Sequence, residues 1–261
     1  MRHADVARYL RVDEPFSTRR SLMFDATSRL LVISPHLDDA VFGCGAAIVS
    51  ASDARVCTVF TARPAEDAAT EWDGRCGFSS AFDAMNARIE EDKRALGVLG
   101  AKPFHLGLLD SQYIPYSPAS AKPTRETIAR ALIDAIDEHR PDALLMPLGL
   151  FHSDHILVHE GACDAWLAHP TLTCFGYEEG LYRAIPGVVQ QRLADLLQRG
   201  IEATPFNPPL PAPAEQQRRD AKKREAVAAY SSQLKAFGDN GYADVFLPER
   251  FWTLAPAEDR R

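Results

Sequence analysis

The chain has 261 residues, of which 46% are hydrophobic and 25% charged, a balance typical of a globular protein with a buried core. Its formal net charge of -7 argues against a nucleic acid or an anionic membrane surface as the main partner, because both attract basic patches, so we expect a small-molecule partner. No apolar run is long enough to span a membrane and the N-terminus lacks the apolar segment of a signal peptide, so we predict a cytoplasmic protein.

Apolar runs that suit buried strands alternate along the chain with segments of helical periodicity. In chain order we predict strand RLLVISP, helix AVFGCGAAIVSAS, strand RVCTVFTA, helix AFDAMNARIEEDKRALGVLG, strand KPFHLGLLD, helix PTRETIARALIDAIDEHRPD, strand DALLMPLG, loop and helix FHSDHILVHEGACDAWLAH, and strand TLTCFGYEE. This alternation predicts a single α/β domain over residues 1–261, with a Rossmann-like three-layer fold in which helices cover both faces of a mostly parallel sheet. Residues 1–28 are interpreted as an N-terminal extension of unknown role.

Three other features lie outside this pattern. The loop that carries Trp72 and Arg75 is long enough to act as a lid over a site, and a surface excursion with a buried Trp72 explains it equally well. The segment ATPFNPPLPAPAE contains five prolines and is predicted to be an extended connector, followed by one helix of consequence. The five cysteines are scattered without a C-x-x-C pair, and we interpret most of them as small buried side chains.

The first candidate site is the segment SPHLDDAVFGCG, which directly follows the first predicted strand. Ligands of an open parallel sheet bind beyond the carboxyl ends of its strands, so this position favours a site. His36 and Asp39 are three residues apart across a tight turn and can converge on one metal ion, whereas Asp38 points elsewhere and stays free. The alternative is that both aspartates cap the helix and His36 forms a local hydrogen bond.

A second cluster, GLFHSDHILVHE, follows another predicted strand at the same edge of the sheet. It holds His152, Asp154, His155 and His159. One of His152 and His155 could bind the ion while the other faces the substrate, which would give two histidines and one carboxylate with an open position for water. The alternative for this pair is a polar helix start, and His159 is interpreted as a partly exposed helical histidine.

These two motifs resemble those of the LmbE-like, or PIG-L, family of zinc-dependent de-N-acetylases. They stand here as His36-Leu37-Asp38-Asp39 and His152-Ser153-Asp154-His155. The segments RIEEDKRALGVLG, LLDSQ and KREAVAAYSSQL are also similar to family patterns, so the likeness extends from about residue 29 to 235. Leu37 and Ala40 depart from the proline and glutamate common in the family, and neither change removes a candidate ligand.

The resemblance implies a role for each matching residue. His36, Asp39 and His155 would bind Zn²⁺, although Fe(II) also suits two histidines and one carboxylate. Asp38 would be the general base, and His152 would stabilise the oxyanion or protonate the leaving amine. The remaining implied roles are substrate binding by Arg88 and Asp110 and orientation of a ligand histidine by Asp154.

Simpler explanations stay open for two of these residues. Arg88 could be a solvated helix charge beside Glu91 or Asp92, and Asp110 a turn residue at a strand end.

The resemblance implies a hydrolase that removes the N-acetyl group from an amino sugar of the N-acetylglucosamine type or its conjugate. One alternative is a metal-dependent amidase of a thiol conjugate or a natural-product intermediate. Another is a non-catalytic Rossmann-like protein whose GCGAAI segment contacts a nucleotide, although this segment lacks the third glycine of G-x-G-x-x-G. The oligomeric state is not predicted.

Overall fold

The computed structural model describes residues 28–116 and 122–257, so residues 1–27 of the predicted extension lie outside the described residues. Within these ranges, the strands form a seven-stranded sheet in the order β3-β2-β1-β4-β5-β7-β6. The strands are β1 Arg29–Ser34, β2 Asp53–Phe60, β3 Lys102–Leu108, β4 Ala143–Pro147, β5 Thr173–Tyr177, β6 Ile201–Phe206 and β7 Phe251–Pro256. The helices are α1 Asp39–Ile48, α2 Glu71–Cys76, α3 Ala81–Leu99, α4 Arg125–His139, α5 Ser153–Leu167, α6 Val188–Gln198, α7 Pro213–Ala228 and α8 Ser231–Phe237.

The sheet is mostly parallel and is covered on both faces. Strands β1 to β5 pair in parallel, and only β7 runs antiparallel to its neighbours β5 and β6. Along β1, Leu30 and Val32 belong to one core cluster and Leu31 and Ile33 to another, because successive side chains of a strand point to opposite faces. An unbroken apolar run such as RLLVIS therefore fits a strand buried on both sides. The predicted fold class is confirmed.

Helix α1 lies close against both the sheet and helix α7, and the two glycines of the GCGAAI segment each allow one of these approaches. A Cβ on Gly43 would lie 2.6 Å from the ring of Tyr177, and one on Gly45 would lie 3.1 Å from the side chain of Lys223. Tyr177 is fixed because its hydroxyl donates a hydrogen bond to the carbonyl of Ile33 at 3.0 Å. Close packing is therefore sufficient to explain why glycine stands at both positions, and no contact with a nucleotide is needed.

The C-terminal third departs from the sequence-based expectations. Strand β6 overlaps the start of the segment expected to be a connector, and Pro205 is tolerated there because β6 is an edge strand. The connector ends where Pro213 opens α7, a position at which proline costs a helix no hydrogen bond. The connector is followed by α7, α8 and β7, whereas only one substantial helix was expected after it. Helix α6, which precedes β6, was not predicted.

Two smaller expectations also have an outcome in the structure. The segment around Trp72 contains a short helix, α2, whose Thr70 and Asp73 form a capping box, so it is not an irregular loop. All five cysteines are buried and free, as expected. Among the described helices, none combines the length and the apolar character that a membrane span requires.

Candidate active site

Four loops meet at the carboxyl edge of the parallel strands. The first motif follows β1, Asp110 follows β3, the second motif follows β4, and Glu179 follows β5. Because β1 and β4 are neighbours in the sheet, the two motifs lie side by side. This edge is where open parallel sheets bind their ligands.

One triplet of side chains in this crevice has the spacing of a metal site. Donor atoms of His36, Asp39 and His155 all lie within 4.8 Å of one another. The Asp39 Oδ2 is 3.1 Å from His36 Nδ1 and 3.1 Å from His155 Nε2. The side chains of Asp39 and His155 are buried, and only 13% of that of His36 is exposed. Two histidines and one carboxylate that converge on one point form a common donor set for Zn²⁺ or Fe(II).

A carboxylate lies at the far ring nitrogen of each histidine in this triplet. His36 Nε2 is 3.3 Å from Asp154 Oδ2, and His155 Nδ1 is 3.4 Å from Glu179 Oε1. Such partners fix the tautomer of a histidine and direct its other nitrogen at the metal. The arrangement therefore leaves His36 Nδ1 and His155 Nε2 directed at Asp39.

A second triplet of the same spacing consists of His36, His152 and Asp154. Here His152 Nδ1 accepts the backbone N–H of Asp154 at 3.2 Å, so this nitrogen has no proton to donate to a carboxylate. Asp154 is already engaged by the N–H of Ser111 at 3.4 Å as well as by His36. The first triplet is the better candidate for a metal site, because both of its histidines have an orienting acceptor.

The electrostatics of the first triplet also fit a cation. Burial lowers the pKa of His36, but its hydrogen bonds to Asp154 and Asp39 outweigh burial and hold that pKa well above its usual value. Burial likewise lowers the pKa of His155, but the charge of Asp39 raises it to about 9. His155 Nε2 is buried 3.1 Å from Asp39 Oδ2, yet among the described residues it has no partner in hydrogen-bond geometry. A metal ion would satisfy this nitrogen and replace the protons that the cluster otherwise attracts.

Asp38 lies beside the triplet but outside it. It is the N-cap residue of α1, yet its side chain forms no capping hydrogen bond, so helix capping does not explain it. Burial and the charge of Asp39 raise its pKa to about 6, although the charges of Arg88 and His36 act in the opposite direction. A carboxylate with such a pKa can both take up and release a proton near neutral pH.

Arg88 and Asp110 lie together in the cavity wall. Both are buried, and Arg88 Nη1 is 3.9 Å from Asp110 Oδ2. The Nε of Arg88 is buried and has no hydrogen-bond partner among the described residues, so the guanidinium is not a solvated helix charge. Asp110 does make turn contacts, since its carboxylate accepts the backbone N–H of Gln112 at 3.0 Å and the side-chain amide at 2.9 Å. Both side chains nevertheless line the cavity.

His152 is half-buried and also lines the cavity. It follows Phe151, whose φ of 59° lies in the left-handed region, and its N–H donates to the carbonyl of Leu150 at 2.7 Å. Burial and the charges of His36 and His155 lower the pKa of His152. Since its Nδ1 accepts a hydrogen bond, the neutral ring carries its proton on Nε2.

His159 is not part of this cavity lining. It is fully buried rather than partly exposed as expected, because α5 packs on α4 and on the end of β4 at this point. Its Nδ1 lies 2.9 Å from the carbonyl oxygen of Pro147.

The cavity has a volume of about 270 Å³ and includes side chains that the motifs did not indicate. It is lined by His36, Asp38, Asp39, Trp72, Arg88, Asp110, Ser111, Gln112, His152, Leu181, Tyr182, Gln233 and Phe237. Tyr182 packs with its ring 5.0 Å from that of His155 and 6.4 Å from that of His152. Glu179 was also missed, and its only sequence signal is an acidic pair at the end of the predicted strand TLTCFGYEE.

Comparisons with known proteins agree on one family. The family model described as PIG-L, GlcNAc-PI de-N-acetylase, matches residues 31–166, which contain both motifs. The diacetylchitobiose deacetylase of Thermococcus kodakarensis is 28% identical over 202 residues, which cover 74% of this chain and 67% of that protein. The 2'-N-acetylparomamine deacetylase of Streptomyces fradiae is 31% identical over 163 residues, which cover 58% of this chain and 56% of that protein.

A solved structure also matches almost the whole described fold. It is a triple mutant of a deacetylase involved in the teicoplanin biosynthetic pathway, with a TM-score of 0.71 and 25% identity. The match covers 89% of this chain and 100% of that one.

Proposed function

The chain belongs to the PIG-L family of de-N-acetylases and is an amide hydrolase, and we propose that it removes the N-acetyl group from an N-acetylated amino sugar or its conjugate. The membership named from the two motifs is thereby confirmed. The observation that carries the proposal is the convergence of His36, Asp39 and His155, with the free, buried carboxylate of Asp38 beside them. The cytoplasmic location stays a prediction.

We propose that His36, Asp39 and His155 hold one divalent metal ion, Zn²⁺ by preference, in a donor set that Fe(II) also suits. When bound, such an ion lowers the pKa of a water molecule toward about 7 and polarises the acetyl carbonyl. Asp154 and Glu179 would hold the two histidines in the ligating tautomer.

In the proposed reaction, Asp38 accepts a proton from the attacking water as the oxygen forms a bond to the acetyl carbon. Charge then grows on the carbonyl oxygen, and the Nε2–H of neutral His152 would donate a hydrogen bond to it, a tautomer that the hydrogen bond accepted by its Nδ1 supports. The carbon–nitrogen bond breaks, and Asp38 returns its proton to the leaving amine, which yields acetate and the free amino sugar. A raised pKa suits Asp38 to both transfers.

Substrate positioning is assigned to the pair Arg88 and Asp110. Both side chains line the cavity; a guanidinium carries several N–H donors and a carboxylate can accept from a hydroxyl, so together they suit the oxygen atoms of a sugar ring.

A second candidate substrate class is an N-acylated sugar within a natural-product intermediate. It is favoured by the likeness to a deacetylase involved in the teicoplanin pathway, which covers 89% of this chain. The chemistry at the metal site would be the same for both classes. Only a comparison of which substrates release acetate distinguishes them.

The test is acetate release from N-acetylglucosamine, its glycosides and diacetylchitobiose, with the protein loaded with zinc or stripped by a chelator. We expect release by the loaded protein only. The Asp38→Asn variant should keep its metal and lose about 10²- to 10⁴-fold in kcat, the usual contribution of a general base. The control is Asp53→Asn, a carboxylate at the opposite end of β2 that pairs with Lys102. Near-normal turnover by Asp38→Asn would refute the proposed base.

A further inference from the structure

One side of the cavity has no part in the proposed chemistry. We call it the α2–α8 wall, and it consists of Trp72 from α2 and Gln233 and Phe237 from α8. The segment that carries Trp72 matches no pattern of the motifs.

The polar edge of Trp72 is already satisfied within the protein. Its Nε1–H donates to Gln233 Oε1 at 3.1 Å, and its ring lies 5.2 Å from that of Phe237. The guanidinium of Arg75 lies 5.1 Å from the ring centroid and donates to the carbonyl of Ala236 at 3.1 Å. The half-buried indole therefore contributes ring carbons, and no free N–H, to the lining of the cavity.

Hydrogen bonds to Glu91 of α3 hold helix α8 in place, so the wall is rigid. The buried carboxylate of Glu91 accepts the hydroxyl of Ser231 at 2.8 Å and the N–H and hydroxyl of Ser232 at 2.9 and 2.6 Å. These bonds satisfy the start of α8 and tie it to α3. A wall held in this way loses little side-chain entropy when a ligand packs on it.

The wall is separate from the reacting centre. Among the described residues, the rings that contact the ligand histidines His36 and His155 are those of Phe60 and Tyr182, together with His152. Within the described ranges, neither Trp72 nor Phe237 makes a ring contact with these two histidines. A substrate with its acetyl group at the metal site would therefore reach the wall with a more distant part.

We propose that the α2–α8 wall is a subsite for a second ring, sugar or aromatic, linked to the N-acetylated sugar, with its apolar face against Trp72. This inference rests on the proposed deacetylase function and narrows it, because it makes the substrate a conjugate with a ring-shaped aglycone rather than a free monosaccharide. A flat carbon surface selects a flat partner, whereas Arg88 and Asp110 supply the polar contacts at the other side.

The test compares methyl and phenyl β-glycosides of N-acetylglucosamine, and diacetylchitobiose, as substrates of the metal-loaded wild type, Trp72→Ala and Trp72→Phe. We expect the wild type to prefer both ring-bearing substrates in kcat/KM. Trp72→Ala should lower kcat/KM for them by about tenfold and leave the methyl glycoside within about twofold. Trp72→Phe, which keeps an aromatic face, should retain most of the preference, and the methyl glycoside shows that each variant is folded and active.

Three outcomes would overturn the inference. If the wild type treats methyl and ring glycosides alike, or if Trp72→Ala lowers all substrates equally, the wall is not an aglycone subsite although the enzyme is a deacetylase. If the effect of Trp72→Ala follows the length of the acyl chain, with N-butyryl in place of N-acetyl, the wall binds the acyl group instead. If no substrate releases acetate, the proposed function fails and the inference fails with it.

Discussion

At the scale of single residues, carboxylates at the far nitrogens of two histidines define the site. Asp154 lies against His36, and Glu179 lies against His155. Glu179 has a second role, because its Oε1 also accepts the backbone N–H groups of Gly149 and Leu150, each at 2.8 Å. The same carboxylate thus shapes the loop after β4 and orients a histidine that follows it.

Replacing Glu179 should weaken metal binding at the proposed site without removing a proposed ligand. We expect Glu179→Gln to lower metal affinity by about 10- to 100-fold, the usual effect of losing an orienting carboxylate, as measured by competition with a chromogenic chelator. The matched control is Glu178→Gln, because Glu178 is equally buried but accepts from Trp252 Nε1 instead. Equal affinity in the two variants would contradict the orienting role of Glu179.

At the scale of elements, α1 delivers the first motif to the sheet edge. Asp38 and Asp39 stand at its N-terminus, so their position depends on how closely the helix lies against β5. Gly43 allows this distance, since any Cβ there would collide with the ring of Tyr177.

The packing role of Gly43 predicts opposite effects for two glycine-to-alanine changes in helices. Gly43→Ala should destabilise the protein by about 1 to 3 kcal/mol, the usual range for overpacking. Gly97→Ala in α3 should stabilise it by about 0.4 to 1 kcal/mol, because no described atom beyond its chain neighbours and its own helix backbone lies within 4 Å of the added Cβ, and alanine restricts the unfolded chain. Denaturant unfolding measures both. If Gly43→Ala were more stable than the wild type, the ring of Tyr177 would be able to move aside without loss of stability, and the packing role of Gly43 would be contradicted.

At the scale of the whole molecule, a buried neutral histidine ties folding stability to pH. His159 lies on α5 against the end of β4, and burial lowers its pKa from an ordinary value of 6.5 to about 3. Below pH 6.5 His159 becomes protonated in the unfolded chain but stays neutral in the native chain. This histidine therefore lowers the stability of the fold by about 1.4 kcal/mol for each pH unit between its two pKa values.

The linkage predicts that His159→Asn is less sensitive to acid than the wild type. Asparagine can keep the hydrogen bond to Pro147, but it does not titrate. The difference in unfolding free energy between wild type and variant should shift in favour of the variant by about 2 kcal/mol from pH 6.5 to pH 5, measured by urea unfolding of the metal-free proteins. Parallel curves for the two proteins over this range would contradict a buried neutral His159.

Features that are encoded within a few residues could be predicted from the sequence, whereas contacts that depend on the order of the strands could not. Both motifs could be placed because each follows a strand within a few residues, and parallel strands end at one edge. The contribution of Glu179 depends on β5 being next to β4, and the contact of Gln233 with Trp72 joins residues 161 positions apart. Strand β6 was missed because it is a proline-containing edge strand, so its sequence lacks the apolar run of a central one.

The most direct test of the account is the metal content of the purified protein and of two histidine variants, determined by elemental analysis after zinc loading. The two triplets share His36, but only one contains His155 and only the other contains His152. We predict about one zinc ion per chain in the wild type and in His152→Ala, and none in His155→Ala. Retention of zinc by His155→Ala together with its loss from His152→Ala would contradict the assignment of the metal site.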